Sequence, residues 1–181
     1  QVGQTLYAGA LMPSGATATY QWQRSSTIDG TYLNISGATA GTYTPTADDY
    51  QKYLKVAATG SGSYSGTVTS AAAGPVAAGL ITAIGPITGT ATQGQTLTAG
   101  SLTPAVATAS YKWQYSESGS ATNFQDIPGA TNSSYYIVNL EYSNRYLRVV
   151  ATGSGAYTGT VYATTTVMVT GSSTPVTAIG T

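Results

Sequence analysis

The chain has 181 residues, with six Lys or Arg, six Asp or Glu and a formal net charge of zero. It has no cysteine and no histidine, which excludes disulfides, thiolate chemistry, the usual zinc sites and every His-based catalyst. Sparse, balanced charge leaves no electrostatic footprint for nucleic acid or an anionic membrane, and no apolar run approaches the ~20 residues that span a bilayer.

Helix signals are weak, because Gly, Thr and β-branched residues interrupt any 3.6-residue stripe. Short strands between turn signals are predicted instead. Residues 4–10 open the chain with Leu6 and Ala8 on one face, and Pro13-Ser14-Gly15 turns it. Ala16, Ala18, Tyr20 and Trp22 then share a face opposite Thr17, Thr19, Gln21 and Gln23. Asp29-Gly30 marks a hairpin-like turn. Residues 32–35 and 42–44 read as short strands, and residues 47–52 as a crossover loop. From Tyr53 onward Leu54, Val56 and Ala58 alternate with Lys55 and Ala57, and Gly60, Gly62 and Gly66 turn the chain into Thr67-Val68-Thr69. The period-2 alternation is that of a half-buried strand.

Residues 54–68 return almost unchanged at 147–161, 93 positions later. The opening Gly3-Gln4-Thr5-Leu6 returns as Gly94-Gln95-Thr96-Leu97, and Tyr20-Gln21-Trp22-Gln23 as Tyr111-Lys112-Trp113-Gln114. A fixed period of this length defines two modules of ordinary domain size. The expected bounds are 1–78, 79–171 and a tail, 172–181, with a short connector at 74–79. The two Trp, with Tyr20, Tyr111, Leu54 and Leu147, are the expected core residues.

Tyr-x-Trp-Gln, Ile-x-Gly-Ala-Thr and Tyr-Leu-x-Val-x-Ala-Thr-Gly-x-Gly-x-Tyr-x-Gly resemble the immunoglobulin-like tandem modules of secreted prokaryotic surface proteins, including S-layer-associated proteins and adhesins. The resemblance covers both modules. It implies an all-β fold of two tandem immunoglobulin-like β-sandwiches, an extracellular, cell-surface location and a structural or adhesive role. A core Trp on the third strand and a Tyr opening the sixth are hallmarks of that fold. Such modules usually carry Asp-x-Gly-x-Tyr before the Leu-x-Val strand. Here the segment is Asp49-Tyr50-Gln51-Lys52-Tyr53, and residues 141–146 of module two contain one extra residue.

Little in the chain reads as chemistry. Asp48-Asp49 is the one adjacent carboxylate pair, but neighbours in an extended segment point opposite ways. Module two has Leu140-Glu141 there, so loop-capping carboxylates are expected rather than a shared acid/base or calcium site. No nucleophile with its base, phosphate-cradling loop, metal cluster or cofactor site is expected, so an enzyme ranks last. Tyr7, Tyr32, Tyr115 and Tyr136 are candidates for a sugar-binding platform, against ordinary surface packing. Asn34-Ile35-Ser36 and Asn132-Ser133-Ser134 fit the N-glycosylation acceptor pattern, Asn132 better because it falls in a predicted turn.

The first strand of module two is expected within residues 80–90, and module one shows no such segment. Yet residues 175–181 repeat its Thr-Ala-Ile-Gly core after module two ends. Two explanations stand: a segment excised or processed from a longer array, or a tail strand, with Val176, Ala178 and Ile179, completing module one of the next subunit. The expected function is therefore a structural repeat module of a cell-surface stalk or filament assembling head to tail. The alternative is an adhesin or carbohydrate-binding module with a surface glycan as partner.

Overall fold

Alternation sets the two longest strands of the first half. Ala18, Tyr20 and Trp22 point to one face and Thr19, Gln21 and Gln23 to the other, as the pleat requires. In the computed structural model, which describes residues 1–117, 120–138, 140–165 and 167–171, these residues belong to β2 (Ala18–Ser25). The chain is all-β, with short antiparallel ladders and only single-turn 3-10 helices among the described residues. None of its described helices is long and apolar enough to cross a membrane.

The strands run β1 (Leu6–Tyr7), β2, β3 (Leu33–Asn34), β4 (Thr42–Tyr43), β5 (Tyr53–Gly60), β6 (Thr67–Thr69) and β7 (Gly79–Leu80). They continue as β8 (Ala83–Ile84), β9 (Thr96–Thr98), β10 (Leu102–Thr103), β11 (Ala109–Ser116), β12 (Phe124–Asp126), β13 (Ser134–Tyr136), β14 (Leu147–Gly153), β15 (Tyr157–Thr158) and β16 (Thr160–Thr164). Two compact units result: Gln1–Leu80 with Gly155–Tyr157, and Ile81–Ser154 with the chain from Thr158 on. The expected tail residues Val176, Ala178 and Ile179 lie outside the described residues.

Each unit holds a four-stranded antiparallel sheet, ordered β3-β2-β5-β6 in unit one and β12-β11-β14-β16 in unit two. The registers are the same. Trp22 faces Val56 and Ala58 faces Val68 in unit one. Trp113 faces Val149 and Ala151 faces Val161 in unit two. A two-stranded ladder accompanies each sheet, β1 with β4 and β9 with β13, pairing Leu6 with Tyr43 and Leu97 with Tyr135.

The core forms where the ladder side chains meet the sheet. In unit two Leu97, Trp113, Ile137, Leu147, Val149 and Val169 form one buried cluster. In unit one Trp22, Leu54, Val56 and Ala58 are buried, and Trp22 stacks on Tyr43 at 5.6 Å between ring centroids. Each buried indole N–H has a partner, as a buried donor must. Trp22 donates to the Ala40 carbonyl and Trp113 to that of Asn132, both at 2.9 Å. Tyr20 and Tyr111 are half-buried at the core margin.

The 3-10 turns Ala47–Asp49 and Leu140–Tyr142 correct the register read from the sequence. Gln51 and Asn144 follow them in the left-handed region at φ 61° and 60°, so Asp49 corresponds to Tyr142, not to Glu141. The extra residue of module two is absorbed upstream of the turn, because the left-handed residue and the strand behind it fix the spacing.

Candidate functional site

Unit two contains a ladder for which unit one shows no counterpart among the described residues. β8 lies against β10, pairing Ile84 with Leu102 and Ala83 with Thr103. Two further backbone bonds extend it: Thr82 N–H donates to the Thr103 carbonyl and Gly85 N–H to the Ser101 carbonyl, each at 2.8 Å. Ile84 packs on the core cluster, and Ile81 is buried. The same repeat positions in unit one are Ala10, Leu11 and Met12. No hydrogen bond reaches their backbone among the described residues.

A cleft takes the place of that ladder in unit one. One part, about 210 Å³, runs between Ala8–Leu11 and Val56, Ala58 and Val68. An adjoining part, about 190 Å³, continues past Met12 and Pro13. Its walls are largely apolar, and Leu11 and Val68 on them are more exposed than their counterparts in unit two. Val68 is 63% exposed and Met12 86%, whereas Val161 is half-buried. Leu11 is half-buried while Leu102 is buried. The cleft is therefore an apolar trough beside free backbone groups, a surface suited to an added strand.

The carboxylate pair resolves into two different residues. Asp48 is exposed. Asp49 is fully buried, with Arg24 Nη1 at 3.1 Å, the Tyr43 hydroxyl donating at 2.6 Å and the Thr46 N–H at 2.8 Å. This carboxylate closes the 3-10 turn and holds the sheet to the loop; with its acceptor sites occupied, it offers nothing to a substrate. Burial, then the hydrogen bond to Asp49, raises the Tyr43 hydroxyl well above its usual pKa. The sequence pattern missed Arg24, whose parity with Trp22 on β2 was the available signal. In unit two the same positions are Tyr115 and Tyr142, whose rings meet at 5.0 Å. An ion pair in one copy is an aromatic pair in the other.

The candidate sugar-platform tyrosines are split between the two units, Tyr7 and Tyr32 in one and Tyr115 and Tyr136 in the other. Tyr32 is covered by the Lys55 ammonium at 4.2 Å from its ring, and Tyr115 packs on Tyr142 with the Arg145 guanidinium beside it. Tyr7 and Tyr136 are exposed, at 77% and 53%, on strands of different units. The candidate glycosylation residues are both exposed. Asn34 sits on β3 and its side-chain oxygen accepts from Gln23 Nε2 at 2.8 Å, so it is engaged. Asn132 lies between β12 and β13, held by its carbonyl's bond to Trp113.

No curated protein matches the chain. Its sequence matches a protein family described as a domain of unknown function (DUF8696) over two stretches, residues 2–74 and 84–177, which together span most of its length. The chain thus belongs to the DUF8696 family.

Proposed function

We propose that the chain is a structural repeat module of an extracellular, cell-surface filament or stalk, built from two immunoglobulin-like β-sandwiches and assembling head to tail. The observation that carries this reading is what the two units share. They keep the same strand registers, the same Trp-centred core and the same indole-to-carbonyl bonds. They differ at several polar positions: Arg24 and Asp49 are replaced by Tyr115 and Tyr142, and Asn34 by Asp126, while the polar bonds they keep, such as Thr17 to the Ser61 carbonyl and Thr108 to that of Ser154, tie the scaffold together. A duplicated binding site would retain its polar set, because orientation and specificity reside there. A spacer retains its scaffold.

Electron microscopy of the concentrated chain tests this. Unbranched filaments with a repeat of two modules along the axis are expected, and particles that stay monomeric at every concentration would refute the reading. The alternative of a glycan-binding module draws on the exposed rings of Tyr7 and Tyr136. It requires saturable binding on a glycan array that Tyr7→Ala or Tyr136→Ala abolishes.

A further inference from the structure

We propose that the apolar cleft of unit one is an acceptor for a β-strand, and that its occupant is the segment Val176-Thr177-Ala178-Ile179-Gly180 of a second copy of this chain. The proposal rests on the filament reading above and names the contact that would build the filament.

In unit two the segment lying in this position is Ile81-Thr82-Ala83-Ile84-Gly85, which contains β8, with Ile81 buried and Ile84 on the core. Residues 176–180 read Val-Thr-Ala-Ile-Gly. Val176 stands where Ile81 stands and Ile179 where Ile84 stands, three residues apart in both segments, so the second segment would present apolar side chains at the same two positions. The carbonyls of Ala10 and Met12 correspond to those of Ser101 and Thr103, which accept from Gly85 and Thr82. Main-chain pairing along an open strand, with apolar pockets for alternate side chains, is the physics of strand addition.

A pair of glycines occupies the same repeat position in the two units. A Cβ on Gly100 would collide with the Gly85 backbone, so the crossing strand in unit two demands glycine there. Gly9 is the same repeat position in unit one, and a Cβ on it would meet nothing within 4 Å. Nothing in unit one itself calls for glycine at Gly9. A strand lying in the cleft, with Gly180 crossing as Gly85 does, would call for it.

In this chain such a strand follows one unit and enters the next: buried Val76 near the end of unit one leads in five residues to Ile81. The equivalent Val169, also buried, leads in seven residues to Val176. By that relation residues 176–180 would serve a unit other than unit two, and the acceptor of matching sequence register is unit one of another copy. Such a contact joins unlike surfaces, so it extends from copy to copy into a fibre unless the rotation between copies closes a ring.

The register gives the test. Ala83 faces Thr103, so Ala178 of one copy should face Met12 of another, at a Cβ separation of about 4.5–5.5 Å. The chain has no cysteine of its own. The double variant Met12→Cys with Ala178→Cys, oxidised in the full chain, should yield a non-reducing ladder of dimers, trimers and higher species. Adding Gly9→Val should remove the ladder while leaving the far-UV circular dichroism and melting temperature of the chain unchanged. Monomer alone, linear or internally bridged, would overturn the proposal, as would a ladder that survives Gly9→Val. Filaments seen by microscopy without the ladder would leave the structural reading standing and refute the donated strand alone. A ladder that stops at dimers would refute the filament reading and keep the acceptor.

Discussion

Asp49 shows how one side chain can be read correctly in kind and wrongly in detail. Its capping role was legible, because a carboxylate ahead of a strand commonly closes a turn. Its depth of burial and its pairing with Arg24 were not, since partners 25 positions apart leave no local signature. The Arg24 side chain is 38% exposed, so removing Asp49 leaves the guanidinium within reach of water, and the cost is that of the bonds lost from the Tyr43 hydroxyl and the Thr46 N–H, about 1–3 kcal/mol. Asp49→Ala should therefore raise hydrogen-exchange rates across β5, while Arg24→Tyr with Asp49→Tyr, the pair used by unit two, should recover a large part of the loss. Equal exchange in the single and double variants would show that the aromatic pair cannot replace the ionic one. The tyrosines also fix an alkaline limit. Burial raises the hydroxyls of Tyr43 and Tyr142 above the usual 10.0. A folded-state pKa above the unfolded one gives stability that is fully present below pH about 10 and is lost as pH rises beyond it. Thermal melts should be insensitive to these two groups from pH 6 to 9 and fall above about pH 10; Tyr43→Phe should shrink that fall. A midpoint that stays constant to pH 11 would contradict the assignment.

At the scale of elements, period-2 alternation located the long strands well. Residues 18–25 and 53–60 were visible because one apolar face alternates with Thr, Gln or Lys along most of each strand. The turn between Asp49 and β5 was harder, because Gln51 occupies a left-handed position that glycine adopts more readily. A non-glycine residue there costs roughly 1–2 kcal/mol, partly offset because glycine adds freedom to the unfolded chain. Gln51→Gly should stabilise unit one by roughly 0.5–1 kcal/mol, and Asn144→Gly should stabilise unit two by less, since Asn tolerates this region better. Differential scanning calorimetry of both variants checks the order; destabilisation by Gln51→Gly would mean its side chain has a structural task. The cleft of unit one was legible in part: module one shows no first-strand segment in its sequence, but that residues 10–12 are the ones left without backbone partners emerged only by comparison with unit two.

For the molecule as a whole, two cores of the same design set the stability. Trp113 is fully buried against Val149 and Tyr135. Its truncation to alanine costs about 3–5 kcal/mol, against a domain total of about 5–15 kcal/mol. Trp113→Ala should leave unit two marginal, visible as early loss of exchange protection in β11 and β14 while β2 and β5 keep theirs. Simultaneous loss in all four strands would instead make the two units one cooperative body. Function left no such mark, because a scaffold that repeats itself writes its core into the sequence and not its partner. The most direct test of a head-to-tail structural module is electron microscopy of native cell-surface material labelled with an antibody against this chain. The account predicts label spaced regularly along continuous fibres. Label confined to fibre tips, or scattered with no fibre beneath it, would contradict it.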